Sequence, residues 1–502
     1  VKGNVKADIP LQAEVDTSGL GWLVSLEYQD LALSKPLDGQ IVTEADGTIT
    51  VDPLKATIVA RGRLSGIPAE IDLLEPIGRE GPARSRKVVL VIDDQTREAF
   101  MPGLSTLLSG TVRVAVDRRD DGSRKVSADL TNTRLTIPWA GWSKGAGVPA
   151  NVSFTMAADG PHTTLSGFDL DGKSFAIRGR VVLEGDDLSS AEFDRVRLNR
   201  GDDVAVSVKR SANGYAVTIQ GDALDARPLI KQFTSDIDTA TKSTSGSVSV
   251  TADVKSLTGF HGEQLANLKL DYSASGARVN GLTVDAVASS GAAINVSSGS
   301  KGGQRSLTMT STDAGAILRF LDIYEHMQGG AITISLSGAG DGPMRGRVDA
   351  RNFLVVNEPK LASLVSTRPP GGDRSLNQAV KADIDTSRVS FDRGYVEIEK
   401  GNRLLRLANG VLRGAAIGAT FQGTLYDPDD NMDVTGTFMP IYGLNRIFGE
   451  IPLVGALLGN GRDRGLIGVT FRLKGKVEKP ELSINPLSAI APGIFRSIFE
   501  FR

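Results

Sequence analysis

The chain has 502 residues, no cysteine and nearly balanced charge, with 57 basic and 59 acidic side chains. Without cysteine it has no disulfide framework and no thiolate chemistry. Without a basic excess it lacks the electrostatic signature of a nucleic-acid-binding protein. No cofactor or metal site is expected, because the three histidines are widely spaced. The first residue is valine, which predicts that the sequence is part of a longer protein.

Apolar residues alternate with polar residues through most of the chain, which is rich in glycine and contains only 5% aromatic residues. Alternation of this kind predicts β-strands with one apolar and one polar face. Turn signals such as Asn213-Gly214 and Asp341-Gly342 separate the runs, as in a chain of hairpins. The clearest runs are Val112–Val116, Val204–Val208, Tyr215–Ile219, Val248–Val254, Ile332–Leu336, Ile417–Phe421 and Val469–Val477.

Helices are predicted only at a few places between the strands. Asp225 to Phe233, Asp313 to Met327 and the shorter Pro359 to Val365 have apolar residues at helical spacing, and the first two begin with an aspartate. Two segments are predicted as loops from their proline, glycine and charge content, Leu74 to Lys87 and Ser366 to Arg374. The sequence therefore predicts strands interrupted by short helices.

Three short motifs suggest chemistry that their surroundings do not support. Gly167 to Ser174 matches the phosphate-binding loop pattern, but a strand pattern follows where that loop needs a helix. Gly141 to Gly145 matches the hydrolase elbow, again without the helix that the elbow requires. Asp427 to Asn431 starts like a calcium loop, yet Met432 and Phe438 stand where glycine and glutamate belong. We interpret all three as turns or strands.

The histidines receive the same interpretation. His162, His261 and His326 do not form a metal-binding motif, and each is predicted to lie at the surface or in a turn. No pair of carboxylates is favoured as an acid–base pair by its spacing. The chain is therefore not expected to be an enzyme.

The strand pattern near the carboxyl end predicts an apolar face. Alternation places Arg472 and Lys474 opposite to the apolar residues of their strand. No large set of helices is available to cover an apolar face of this extent. A closed barrel, a sandwich or a curled open sheet covered by lipid would each solve the problem. The residues predicted to line an apolar groove are Val434, Phe438, Val469, Phe471, Leu473, Ile417 and Phe421.

Two apolar segments of the last 70 residues have helical rather than strand spacing. They are Ile441 to Gly459 and the tail Asn485 to Arg502. Such segments either cap the end of a sheet or dock on a membrane surface or a partner. Neither is long and continuous enough to span a bilayer. The candidate docking residues are Leu444, Ile447, Phe448, Leu487, Ile490, Ile494, Phe495 and Ile498.

These segments also carry a resemblance to a known family. The runs GTFMPIYGLNRIFGEIPLVGALLG and GLIGVTFRLKGKVEKPELSINPLSAIAPGIFR resemble the carboxyl end of AsmA-like proteins of the YhdP type. Asp313 to Gly330, followed by GRVDARNFLVVNEPKLASLVS, resembles the preceding segment, and IPWAGWSKGAGVPA resembles another. The resemblance weakens before Asp313 and departs near Ser366 to Gln378, where this chain is shorter.

The resemblance implies a Gram-negative envelope protein that lies in the periplasm and is anchored to the inner membrane by a segment upstream of this chain. It implies a long β-groove with an apolar interior that moves phospholipid towards the outer membrane. Its partners would be phospholipid acyl chains, both membranes and an envelope protein. The family has no catalytic residues to transfer to this sequence.

Together these observations predict a mostly β fold, an elongated curled antiparallel sheet that forms an apolar groove, with short interspersed helices. Three parts are expected: residues 1–165 and 166–345 as groove, and 346–502 as the AsmA-like region. The predicted function is bridge-like phospholipid transport. Two alternatives stay open, a structural or assembly factor for outer-membrane proteins that uses exposed strand edges, and a β-solenoid with carbohydrate-active chemistry. The interior of the sheet distinguishes them: an apolar trough, a filled core or a polar cleft.

Overall fold

The computed structural model describes residues 1–8, 21–34, 40–78, 81–185, 187–235, 246–276, 278–366, 385–415, 417–440 and 469–485. The chain divides into two compact units, unit 1 from Val1 to Ala212 and unit 2 from Asn213 to Arg502. The division into three parts that the sequence suggested stays a prediction. The predicted fold class is confirmed, because the described chain is mostly antiparallel β-sheet with short helices.

Unit 1 contains sixteen strands among its described residues. Its helices are α1 (Asp94–Phe100) and α2 (Pro102–Ser105), with a 3-10 turn at Pro138–Ala140. The strands are β1 (Lys2–Asp8), β2 (Gly21–Leu31), β3 (Val42–Val51), β4 (Lys55–Leu64), β5 (Ile67–Pro76), β6 (Ser85–Ile92), β7 (Leu108–Ser109), β8 (Val112–Arg118), β9 (Arg124–Asp129), β10 (Arg134–Ile137), β11 (Trp142–Lys144), β12 (Ala150–Asp159), β13 (His162–Gly172), β14 (Ala176–Glu184), β15 (Asp187–Arg197) and β16 (Asp203–Ser211).

Unit 2 contains fourteen strands in its described part. Its helices are α3 (Arg227–Ser235), α4 (Ala314–Phe320) and α5 (Pro359–Ser366). The strands are β17 (Gly214–Asp225), β18 (Ser247–Thr258), β19 (Gln264–Ser275), β20 (Arg278–Ala288), β21 (Ala293–Lys301), β22 (Gln304–Ser311), β23 (Met327–Ala339), β24 (Met344–Val356), β25 (Arg388–Gly401), β26 (Leu404–Arg413), β27 (Ile417–Tyr426), β28 (Asn431–Pro440), β29 (Val469–Lys476) and β30 (Glu481–Asn485).

Within each unit, strands that follow one another along the chain pair antiparallel, as the hairpin signals predict. In unit 1, β8 pairs with β6 and β12 with β9, while β7, β10 and β11 form a separate small sheet. In unit 2, β17 and β18 are parallel, with α3 between them. A parallel pair needs a crossover connection, which explains why this pair departs from the meander.

The helices α4 and α5 lie at the same end of the unit 2 sheet, which we call the helix end. Each follows a strand that runs in the same direction, β22 or β24. The opposite end, the hairpin end, carries the tight turns that join β19 to β20 and β21 to β22. The helix end contains the buried cluster of this unit, formed by Ala314, Met327, Phe353, Val365, Val389, Phe391, Ile417, Phe438 and Phe471.

The helix α4 is shorter than the predicted helix from Asp313 to Met327. Asp313 caps it by accepting a hydrogen bond from the Ala316 N–H at 2.9 Å, and the helix ends at Phe320. Asp322 then adopts a left-handed conformation with φ 59°, which no helix continues through. Met327 begins β23 instead and joins the buried cluster. The apolar spacing beyond Phe320 therefore belongs to a turn and a strand, whereas α3 and α5 form where they were predicted.

Two other differences from the sequence prediction concern unit 1. Strand β5 continues to Pro76 and β6 begins at Ser85, so the first three and the last three residues of the predicted loop from Leu74 to Lys87 belong to strands. The described residues between these strands, 77–78 and 81–84, lie outside regular structure, as predicted. The side chains of Arg84 and Arg86 both bind Glu75 and hold these strand ends together. The helix α1 was not predicted, although Asp93 caps it by accepting from the Thr96 N–H at 2.8 Å. Of the predicted loop from Ser366 to Arg374, only Ser366 belongs to the described residues.

Candidate functional site

The two catalytic motif matches occupy strands and turns in the structure. Lys173 is exposed in the turn between β13 and β14, and the next element is a strand rather than a helix. Ser143 is exposed on β11, paired with Thr136 of β10. Neither residue lies in the strand-to-helix geometry that its motif requires. The sequence interpretation of both motifs is confirmed in this respect.

Lys144, next to Ser143, is an unexpected buried cation. Its side chain is 3% exposed, and its ammonium group donates to the carbonyl oxygens of Leu130 at 2.6 Å and Thr133 at 2.7 Å. Burial lowers the pKa of Lys144. The neighbouring Trp142 packs edge-on against Phe175, with ring centroids 4.9 Å apart. The GWSKG segment therefore has a structural role. Lys144 binds the turn that follows β9, and Trp142 packs against Phe175 before β14, so both contacts hold the small sheet in place.

We expect Lys144→Met to lower the free energy of unfolding of the chain by about 1.5–3 kcal/mol, because the carbonyls of Leu130 and Thr133 lose a charged donor. Lys173→Ala and Ser143→Ala are matched controls at exposed positions and should change stability by less than roughly 0.5 kcal/mol. Urea unfolding followed by circular dichroism measures all three. Equal stability of Lys144→Met and the controls would show that the hydrogen bonds from Lys144 to the two carbonyl groups do not stabilise the fold.

The acidic turn and the histidines show no metal geometry. Asp427 accepts from the backbone N–H groups of Asp429 at 3.0 Å and Asn431 at 2.9 Å, which makes this segment the hairpin turn between β27 and β28. His261 contacts Asp322 at 2.6 Å, and His326 contacts the Val356 carbonyl at 3.0 Å. In the described parts of the chain, no group of three or more histidine or acidic side chains is placed to hold a metal ion.

The most extensive feature of unit 2 is an apolar row that crosses its strands. Residues paired across neighbouring strands lie on the same face of a sheet, so the pairing of β18 to β25 can be followed side chain by side chain. The central row, in order of pairing, is Ala252, Leu270, Val284, Val296, Met309, Ile334, Val348 and Val396.

Two further rows flank the central row on the same face. The row nearer the hairpin end runs through Tyr272, Leu282, Ser298, Leu307, Leu336, Gly346, Ile398, Leu407, Gly423, Val434, Leu473 and Leu482. The row nearer the helix end runs through Ala286, Ile294, Ser311, Ile332, Ala350, Gly394, Leu412, Ala419 and Phe438. We call these three rows the apolar face of unit 2.

The exposure of the central row distinguishes it from a packed core. Every one of its residues is half-buried, whereas the cluster at the helix end is buried. A sheet that packed against another layer would bury this row. The central row is instead a strip of branched and unbranched apolar side chains that remains accessible from one side.

The opposite face of the same strands is polar. One row on that face, paired strand by strand, is Asp253, Lys269, Asp285, Asn295, Thr310, Thr333 and Asp349. Its last member, Asp349, binds Arg351 at 2.9 Å and Arg393 at 2.6 Å. These arginine hydrogen bonds outweigh burial and lower the pKa of Asp349. The two faces of the sheet thus differ sharply in polarity, as the alternation predicted.

The predicted groove residues lie on the apolar face, mostly in its buried part. Pairing of β27 with β28 and of β28 with β29 places all seven on one face, with Arg472 and Lys474 on the other. Ile417, Val434, Phe438 and Phe471 are buried, Phe421 and Leu473 are partly buried, and the Val469 side chain lies outside the described set. A role for these residues in lining a lipid path stays a prediction.

Glycines beneath aromatic rings allow this part of the face to pack closely. A Cβ atom on Gly436 would lie 2.2 Å from the Thr420 carbonyl oxygen and 2.6 Å from the Phe471 ring. A Cβ atom on Gly410 would likewise lie 2.6 Å from the ring of Phe421. The rings of Phe471 and Phe421 therefore pack directly against glycine backbone, in space that a side chain at either glycine would occupy.

We expect Gly436→Ala to destabilise the chain by about 1–3 kcal/mol, because the added methyl group must displace the Phe471 ring or the strand itself. Gly299→Ala on β21 is the matched control, since nothing lies within 4 Å of its Cβ position. The control should be neutral or slightly stabilising, as a methyl group without clash restricts the unfolded chain. Thermal unfolding of both variants tests the difference, and equal melting temperatures would contradict it.

Unit 1 has an apolar row of its own. Its cross-strand pairs run in order through Tyr28, Gly47, Ala60, Ile71, Val88, Val116, Val126 and Phe154. Phe154 stacks on Phe168 with centroids 6.1 Å apart, and Phe168 contacts Phe193 edge-on at 5.8 Å. Unit 1 therefore also has an apolar row on one face of its sheet, and Tyr28, Ala60 and Ile71 of this row are packed in a buried cluster.

The candidate docking residues lie outside the described residues. They are Leu444, Ile447, Phe448, Leu487, Ile490, Ile494, Phe495 and Ile498. Of the helices that the structure does describe, none is long and apolar enough to cross a bilayer. The docking role of these residues therefore stays a prediction.

Sequence reasoning missed the residues at the centre of the apolar face. Val284, Val296, Met309 and Val348 were not singled out, although each lies in an alternating segment. The signal that could have found them is the same period of two that identified the carboxyl-terminal residues. Comparison of the chain with protein-family models, with curated proteins and with solved structures finds no match.

Proposed function

We propose that this chain binds phospholipid through its acyl chains on the apolar face of unit 2 and moves phospholipid between the inner and outer membranes of a Gram-negative envelope, from the periplasm. The observation that carries the proposal is the central row, which is apolar from β18 to β25 and half-exposed throughout. The opposite face is charged and polar, so only one face has the chemistry of a lipid contact.

Burial of acyl chains supplies the binding energy in this proposal. Each methylene that is buried on the face recovers about 0.8 kcal/mol, which offsets the equal cost of removing that methylene from the vesicle. Neighbouring positions of the row have similar side chains, which gives a bound lipid several sites of similar free energy. Movement between such sites costs little, and this is what transport along a strip requires.

The resemblance to AsmA-like proteins of the YhdP type supports the envelope location and the partners in this proposal. These partners are the two membranes and an envelope protein, with the membrane anchor upstream of the chain. No nucleic acid or cofactor has a role in it. The charge balance of the sequence agrees with a ligand that is recognised mainly by its apolar part.

Lipid uptake by the purified chain tests the proposal. The chain is incubated with vesicles that contain a fluorescent phosphatidylethanolamine and is then separated from them by gel filtration. We expect the fluorescence to elute with the chain in a ratio that saturates with lipid. Elution of all fluorescence with the vesicles, from a chain that is folded by circular dichroism, would contradict the proposal and favour the scaffold alternative.

A further inference from the structure

The apolar face of unit 2 has two different ends. At the helix end the side chains of Met327, Phe353 and Phe391 are buried together with α4. At the hairpin end the face reaches arginine and serine residues on the turns between β19 and β22. A ligand with one apolar and one polar end would have one orientation on such a surface.

Arg305 lies on the apolar face at its hairpin edge. It is two residues before Leu307 and four before Met309 on β22, so the three side chains point to the same side. Its cross-strand partner is Ser300. The Ser300 hydroxyl accepts a hydrogen bond from Nη2 of Arg278 at 3.1 Å. The Arg278 guanidinium therefore lies beside the residue that pairs with Arg305, on the edge of the apolar strip.

The arginines at this edge differ from those on the polar face in their partners. On the polar face, Arg345 binds Glu399 at 3.0 Å and Arg393 binds Asp349 at 2.6 Å. Across the described residues, no ion pair joins Arg278 or Arg305 to a carboxylate. Arg305 donates to the Gly342 carbonyl, and its Nε is buried with no hydrogen-bond partner among those residues. Guanidinium N–H groups that are not paired with a carboxylate can donate to a bound anion, and guanidinium groups bind phosphate well.

The length of the strip fits an acyl chain. From Arg305 to Ser311, strand β22 spans about 20 Å at roughly 3.4 Å per residue. One leaflet of a bilayer has a hydrocarbon depth of about 15 Å, half of the ~30 Å core. An acyl chain laid along Leu307 and Met309 would therefore reach the helix end when its headgroup is beside Arg305.

We propose that Arg278 and Arg305 bind the phosphate of a phospholipid headgroup, whose acyl chains lie along the strands towards the helix end. This inference rests on the proposed lipid binding and adds an orientation and a headgroup site to it. Lipids that lack the phosphate lose this contact and keep the apolar one. The two arginines thus determine which lipid class occupies the face rather than whether any lipid binds.

The test is a competition between two lipids with identical acyl chains. The chain is loaded from vesicles that contain equal amounts of phosphatidylglycerol and diacylglycerol, and its bound lipids are counted by mass spectrometry. We expect the wild type to hold about tenfold more phosphatidylglycerol, and the Arg278→Gln/Arg305→Gln variant to lose this preference with its total lipid unchanged. A tenfold ratio corresponds to about 1.4 kcal/mol.

Two control variants distinguish binding at this site from a nonspecific effect of positive charge. Arg345→Gln/Arg347→Gln removes two arginines from the polar face and should keep the preference, as should Arg278→Lys/Arg305→Lys. Excess inorganic phosphate should not change the ratio if the site takes a lipid headgroup. The inference is overturned if the glutamine variant keeps the wild-type ratio, if the polar-face control loses it equally, or if inorganic phosphate abolishes it. A wild-type chain that holds no lipid at all would overturn the proposed function itself.

Discussion

Val296→Asp is expected to reduce phospholipid uptake by about tenfold or more, whereas Ser297→Asp, one residue further along β21, leaves it unchanged. Val296 lies in the centre of the apolar face, between Val284 and Met309. A carboxylate at this position must lose its water whenever an acyl chain covers it, and unpaired burial of a charge costs several kcal/mol. Each ~1.4 kcal/mol of that cost lowers affinity tenfold.

Ser297 is the matched control because it is exposed on the polar face, between Thr283 and Thr308. The two variants have the same added charge on the same strand and differ only in the face that carries it. The fluorescent lipid uptake assay measures both. Equal uptake by the two folded variants would contradict lipid binding on the apolar face.

Phe353→Ala is expected to lower the free energy of unfolding of unit 2 by about 3–5 kcal/mol. Phe353 is 6% exposed and stacks on Phe391 with centroids 5.2 Å apart, so its removal leaves a cavity in the helix-end cluster. Val348→Ala on the same strand should cost roughly 1 kcal/mol or less, since Val348 is half-exposed in the central row and little packing is lost.

Urea unfolding of the delipidated chain compares the two variants. The contrast separates two kinds of apolar surface, a cluster that stabilises the fold and a strip that is available to a ligand. A cost for Val348→Ala as large as that for Phe353→Ala would show that the central row is a packed core. That result would favour a structural role for the chain.

The apolar and polar sides of single strands could be predicted from the sequence, because side chains alternate strictly along a strand. The pattern Val469, Phe471 and Leu473 against Arg472 and Lys474 is of this kind, and the register of β28 with β29 agrees with it. The short helix α3 could also be predicted, since its start and its apolar spacing are local properties. Local rules therefore gave the fold class.

The continuity of the face could not be predicted, because it depends on the register between strands. Asn352 has a φ of 53°. At this residue the β24 side chains on the apolar side of the sheet change from Val348 and Ala350 to Phe353 and Val355. No period of two in the sequence spans such an irregularity. The two arginines of the proposed headgroup site are brought to one edge because Ser300 accepts from Arg278 and pairs with Arg305, so their proximity is likewise a property of the folded sheet.

The buried arrangement around Lys144 was hidden for a different reason. A lysine in a glycine-rich segment has the composition of an exposed turn, and only the carbonyl groups of Leu130 and Thr133 make its burial favourable. These carbonyls come from a turn eleven or more residues away in the sequence. Tertiary contacts of backbone groups leave no signal in residue type.

Site-specific photocrosslinking tests directly whether phospholipid contacts the apolar face of unit 2. A benzophenone amino acid is placed at Val296 or at Ser297, the chain is illuminated after exposure to phospholipid vesicles, and covalent adducts are identified by mass spectrometry. We expect adducts with phospholipid acyl chains at position 296 and none above background at position 297. Equal labelling at both positions, or adducts only with protein at position 296, would contradict a lipid-binding apolar face.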